Sequence, residues 1–126
     1  MKMAWVYIGL HKFSCLVPET DSEYRQGLGV VDALKNDQGM VFVFGMRPVV
    51  MTMGAVRFPI DMLFVSKSQP QKVLSIHTLQ PGFNGAMTQG GAGSVVELRG
   101  GICRELGIAI GARVRADWMT TGRSLL

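Results

Sequence analysis

The chain has 126 residues, 48% hydrophobic and only 17% charged, with a net charge of +4. Its mean hydropathy of +0.25 excludes an intrinsically disordered chain, which lacks the apolar surface needed to offset ordering entropy. The length is that of one ordinary domain and excludes two independent ones.

Trp5–Leu10 and His11–Val17 read as short strands, rich in β-branched and aromatic residues, and Pro18 stops the sheet. Thr20-Asp21-Ser22-Glu23 has the spacing of a capping box, in which the hydroxyl and the carboxylate each satisfy the other's backbone donor. The helix it opens is short, because Gly27 and Gly29 follow at once. Val30–Lys35 reads as an extended connection into the turn Asn36–Gly39.

Met40–Phe44 is a continuous apolar run, as expected of a strand buried on both faces. Gly45–Pro48 predicts a turn and Val49–Met53 a returning strand. Pro59–Val65 predicts a further strand carrying one charge, Asp61, and Lys72–Leu79 another after the polar turn Ser66–Pro70. Pro81–Gly93 is glycine-rich and aperiodic, and reads as a loop. Ser94–Leu98 is a strand, Gly101–Leu106 has room for one helical turn, and Ala112–Ala116 is the last strand. The fold class is α+β, mostly β: a compact barrel-like or sandwich-like domain over residues 1–118 with one or two short helices, followed by a tail, 119–126.

The composition excludes several function classes. The basic residues are scattered singly, without runs or interleaved aromatics, so nucleic acid is not the expected partner. Cys15 and Cys103 are too far apart in sequence for a ligand pair, and Cys15 lies in an apolar run as a buried thiol would. Whether the two are bridged stays open. His11 and His77 are isolated, so no metal or other cofactor is expected. No stretch reaches the roughly 18 apolar residues that span a bilayer, and the N-terminus lacks a secretory pattern, so the expected place of synthesis is cytoplasmic and no membrane is expected.

Several segments fall together in order: Arg25-Gln26-Gly27-Leu28, Gly39-Met40-Val41-Phe42, Phe58-Pro59-Ile60-Asp61-Met62-Leu63-Phe64-Val65, Val96-Glu97-Leu98-Arg99-Gly100-Gly101 and Gly107–Gly111. This succession resembles the uncharacterised family known as domain of unknown function 192, over roughly residues 4–117. The resemblance implies a compact β-barrel-like or sandwich-like domain with a helix against it, and brings no settled activity. Family members typically carry Phe-Trp-Met-Lys-Asn-Thr shortly before the Pro-Leu-Asp motif. Here the corresponding stretch is Met51-Thr52-Met53-Gly54-Ala55-Val56, so Thr52, Gly54, Ala55 and Val56 stand where that resemblance would place polar site candidates and the Trp.

Asp61 is the most unusual charge, because a carboxylate inside an apolar strand needs a cation or several backbone donors. Arg57, Arg47 or Arg99 can supply the cation, and a backbone clamp holding the Gly-rich loop, Gly82–Gly93, is the alternative. Glu97 is flanked by hydrophobics in the same way, and an acid–base pair would require it to face Asp61 across the sheet. His77 reads as an exposed strand residue, and Gly82–Gly93 lacks the Lys and Ser/Thr of a phosphate loop. The tail, with Trp118, Leu125 and Leu126, reads as an exposed apolar contact surface.

The leading expectation is a non-enzymatic structural or interaction module in a larger assembly, meeting protein partners or itself; a capsid or tail component of a virion is one concrete form. The alternative is a domain binding a carbohydrate or polar metabolite, with Asp61, Arg57 and Glu97 lining its pocket.

Overall fold

The computed structural model describes residues 1–126. One seven-stranded sheet forms the molecule, with strands β1 (Lys2–Ile8), β2 (His11–Val17), β3 (Gln38–Val43), β4 (Ile60–Ser66), β5 (Val73–Leu79), β6 (Ala92–Arg99) and β7 (Val114–Trp118). Their order across the sheet is β5-β4-β6-β3-β2-β1-β7, and all neighbours are antiparallel except β2 and β3. The sheet curls into a half-barrel, and its two edges meet at one end, where Val73 N–H donates to Ala112 O (2.9 Å) and Val114 N–H to Gln71 O (3.0 Å). Two short helices complete the fold, α1 (Asp21–Gln26) and α2 (Ile102–Leu106). Neither is long and apolar enough to cross a membrane.

β1 and β2 form a tight hairpin, pairing Ile8 with His11. Gly9 takes a φ of +58° in its two-residue turn, and Leu10 beside it is wholly exposed, so the first strand ends two residues earlier than its apolar content predicts. The capping box forms as the sequence predicts: Glu23 N–H donates to Thr20 Oγ1 (3.1 Å), and Thr20 N–H to Glu23 Oε1 (3.1 Å). The backbone amides of Glu19 and Thr20 hold the Glu23 carboxyl below its ordinary pKa.

The pleat sorts side chains into two cores. Inside the curl lie Phe13, Val41, Leu63, Val65, Val96 and Leu98, with Ile102 and Cys103 of α2 closing one end. On the outer face lie Met40, Phe42, Ile60, Met62, Phe64 and Val95, covered by Leu28 and by Met51, Met53 and Val56. Cys15 and Cys103 are separate buried thiols, and burial raises the pKa of both.

Two segments differ from expectation. Val49–Met53 is not a returning strand; only Met51 pairs, exchanging backbone hydrogen bonds with Met87 (2.9 and 2.7 Å). Its methionines are apolar because they cover the outer face, a role that shows the same composition as a strand without its ladder. The tail also departs: Trp118 belongs to β7, and residues 123–125 fold back along it, with Leu125 N–H donating to Ala116 O (2.7 Å). Leu125 and Leu126 are half-buried against the inner core rather than exposed.

Gly39 shows how tightly the central strands approach. A Cβ at this position would collide with the Glu97 carbonyl and lie 2.8 Å from Leu98 Cδ2. Gly39→Ala is therefore expected to destabilise the fold by about 2–4 kcal/mol through overpacking and displaced backbone. Urea unfolding of the variant checks this, and an unchanged midpoint would show that β3 and β6 can separate freely.

Candidate functional site

Asp61 and Glu97 sit on neighbouring strands, yet on opposite faces. The register pairs Asp61 with Leu98 and Met62 with Glu97. Cross-strand partners share a face and successive residues alternate, so Asp61 points to the inner side and Glu97 to the outer. The acid–base pair across the sheet does not form.

Asp61 is 1% exposed and meets no arginine. Its Oδ1 accepts from Thr78 Oγ1 (2.7 Å) and from Gly101 N–H (3.0 Å), and its Oδ2 accepts from Cys103 N–H (2.9 Å). α2 begins after Gly101, which carries no side-chain cap, so Asp61 caps the helix from another strand and ties it to the sheet. Burial, reinforced by the same carboxylate, pushes the Cys103 thiol up to about 12. The candidate cations lie elsewhere: Arg57 pairs with Asp32, Arg47 approaches Asp21 (3.8 Å), and Arg99 binds Glu105 (2.6 Å). Asp61 is thus the backbone clamp, closed on the Gly100-Gly101 turn and not on Gly82–Gly93.

Glu97 is 2% exposed, and no hydrogen-bond donor or cation reaches its carboxyl. Its cross-strand neighbours on the same face are Met40 and Met62. The side chain opens into a cavity of about 440 Å³ on the outer face. Aromatic walls come from Tyr24, Phe42 and Phe44, and apolar ones from Leu28, Met51, Met53 and Val56. Arg25, Gln26, Thr52 and Gly54 also line it. Burial alone pushes the Glu97 carboxyl up to about 8.

Local sequence explains the walls. The capping box starts α1 so that Tyr24 leans on Phe42 and Phe44, with ring centroids 6.0 and 5.9 Å away. Its hydroxyl donates to Val43 O, which pins the ring, and the Arg47 guanidinium lies 4.6 Å over its face. The opposite wall is the stretch 51–56, in which Thr52, Gly54 and Val56 are small enough to leave the space open.

Of the three proposed ligand contacts, only Glu97 lines the cavity. Asp61 is consumed by its clamp, and Arg57 is an exposed partner of Asp32. Sequence reasoning missed Tyr24, Phe42 and Met53; the capping box and the stretch before Pro59 were the available signals. His77 is half-buried on β5, near Ser75 Oγ (3.2 Å) and edge-on to Phe64. Nowhere do three or more His, Cys, Asp or Glu side chains gather as metal ligands would.

Fold and site together define a half-barrel α+β domain with an apolar pocket on the outer face of its sheet. The chain belongs to the DUF192 family (Uncharacterized ACR), which it matches over residues 5–116. Among solved structures it is similar to a candidate transcription regulator of Sinorhizobium meliloti 1021, with 28% identity, a TM-score of 0.80, and coverage of 92% of this chain and 94% of that one. A protein of unknown function from Novosphingobium aromaticivorans DSM 12444 is also similar, at 25% identity and a TM-score of 0.78, covering 89% and 84%. A comparison with curated proteins finds no match.

The two carboxyls predict opposite mutational behaviour. Asp61→Asn replaces an acceptor by a donor facing backbone N–H groups, and is expected to destabilise by about 2–4 kcal/mol in urea unfolding. An unchanged stability would show that α2 is held without the clamp. For Glu97, the folded pKa of about 8 lies above the unfolded value of 4.5. Between these limits the native state holds the extra proton, so stability falls as pH rises, at up to about 1.4 kcal/mol per unit. Unfolding measured across that range should show the decline in the native protein and a flat profile in Glu97→Gln.

Proposed function

We propose that this chain is a small-ligand-binding domain, and that its site is the outer-face pocket with Glu97 in its wall. The observation that carries this reading is a fully buried carboxyl without a partner, opening into a cavity of about 440 Å³. Such a volume suits a small organic molecule, and apolar walls with a few convergent polar groups are the usual make-up of ligand sites. An unpaired buried carboxyl detracts from stability, which is the pattern expected where a residue serves binding. No His, Cys or second carboxylate lines the pocket, which favours binding over catalysis. The description of the Sinorhizobium relative as a candidate transcription regulator accords with a domain that senses a small molecule. The alternative of an assembly module, in a virion or elsewhere, has less support, since the tail folds back upon the inner core.

A fragment screen followed by amide chemical shifts tests the site. Binding fragments should perturb Gly27, Gly54 and Glu97 together, and Thr52→Trp should weaken them by about tenfold or more, or about 1.4 kcal/mol, by filling the mouth. Fragments that bind elsewhere, or that ignore Thr52→Trp, would overturn the assignment.

A further inference from the structure

The chemistry of the Glu97 environment goes further than the presence of a pocket, and it rests on the reading of that pocket as a site. Glu97 sits in a cross-strand row between Met40 of β3 and Met62 of β4, so neither neighbouring strand offers it a charge. His77 continues the row on β5 beyond Met62, about two strand spacings or 10 Å away. From α1, the titratable groups facing the cavity are Tyr24, whose hydroxyl is engaged with Val43 O, and Arg25. The covering stretch 50–56 brings Thr52 and no charge, and the Arg47 guanidinium lies over the Tyr24 ring.

An ionised carboxylate in such surroundings, without a donor, is expensive, and the group neutralises instead. A neutral carboxyl presents an O–H donor and a C=O acceptor side by side. That edge matches the N–H and C=O of a primary amide or a lactam, giving two uncharged hydrogen bonds in an apolar space. A cationic ligand, by contrast, would share the cavity with the Arg25 guanidinium and would have to hold Glu97 in its charged form alone. Three aromatic rings on the adjoining wall favour a flat apolar body.

We propose that the pocket takes an uncharged, flat, largely apolar ligand bearing an amide or lactam edge, which pairs with the carboxylic acid of Glu97.

Three probes with one common body separate the possibilities: benzamide, benzylamine and benzoate, titrated into the full chain and followed by amide shifts. Benzamide is expected to bind most tightly. Its affinity should fall about tenfold between about pH 7 and about pH 9, as the protonated fraction of Glu97 shrinks. Glu97→Gln, whose own amide keeps a donor and an acceptor, should retain benzamide binding and lose the pH dependence. Glu97→Met should lose the binding while remaining folded, because it continues the methionine row. Tighter binding of benzylamine, strengthening with pH, would overturn the ligand class and leave the site standing, and tighter binding of benzoate would do the same. Fragments that bind the pocket while benzamide does not would also overturn the class alone. If no fragment and none of the three probes perturbs the pocket, both readings fall.

Discussion

The structure depends on two strands, β4 and β6, that are buried on both faces. Each residue along them must enter one of two cores, and the pleat allows no exceptions. Leu63, Val65, Val96 and Leu98 fill the inside of the curl, while Ile60, Met62, Phe64 and Val95 fill the outer layer. The same alternation sends Asp61 inward and Glu97 outward from adjacent strands. Their different chemistry follows from that parity. Asp61 meets the open amides of a short helix and a threonine hydroxyl, whereas Glu97 meets methionines and a cavity. A slip of one residue in the β4–β6 register would break both arrangements at once.

The two environments have opposite energetic meaning. Three hydrogen bonds to Asp61 compensate its desolvation and fasten α2, so that carboxylate belongs to the fold. Glu97 has no hydrogen-bond partner in the protein, and an apolar side chain of similar length would suit its row better. Sequences tend to agree with their folds at every level except where function requires otherwise. By that criterion Glu97 is the residue that supports the proposed site, although Asp61 looks the more anomalous residue along the chain.

Much of the fold was legible because its signals are local. The apolar runs of β3, β4 and β6 and the capping box require only neighbouring residues to be read. Register is not local. Whether Glu97 opposes Met62 or Asp61 depends on the connection through Gly82–Gly93, which carries no periodic pattern, and so the acid pair looked feasible. Apolar coverage is equally ambiguous: Met51 and Met53 could have been a strand, and Leu125 and Leu126 an exposed contact, because hydrophobicity does not state what it is buried against. The raised pKa of Glu97 was unreadable for the same reason, since it arises from surroundings assembled by four distant segments.

The stretch 51–56 gains its meaning only in three dimensions. Along the chain, small and apolar residues at Thr52, Gly54 and Val56 looked like the loss of a polar site. In the fold these residues line the cavity beside Glu97, and a large side chain at the mouth would occupy the space they leave. In this chain the small residues of that stretch therefore border a pocket instead of closing the space beside Glu97. The composition bears this out, because the apolar excess does not form a single exposed surface. It fills two cores on either side of one sheet, and the remainder lines the pocket between the sheet, α1 and the covering stretch. A protein of this size can give both faces of a sheet to packing only if few charges are left inside. Of the two carboxyls it keeps there, the fold itself uses only one.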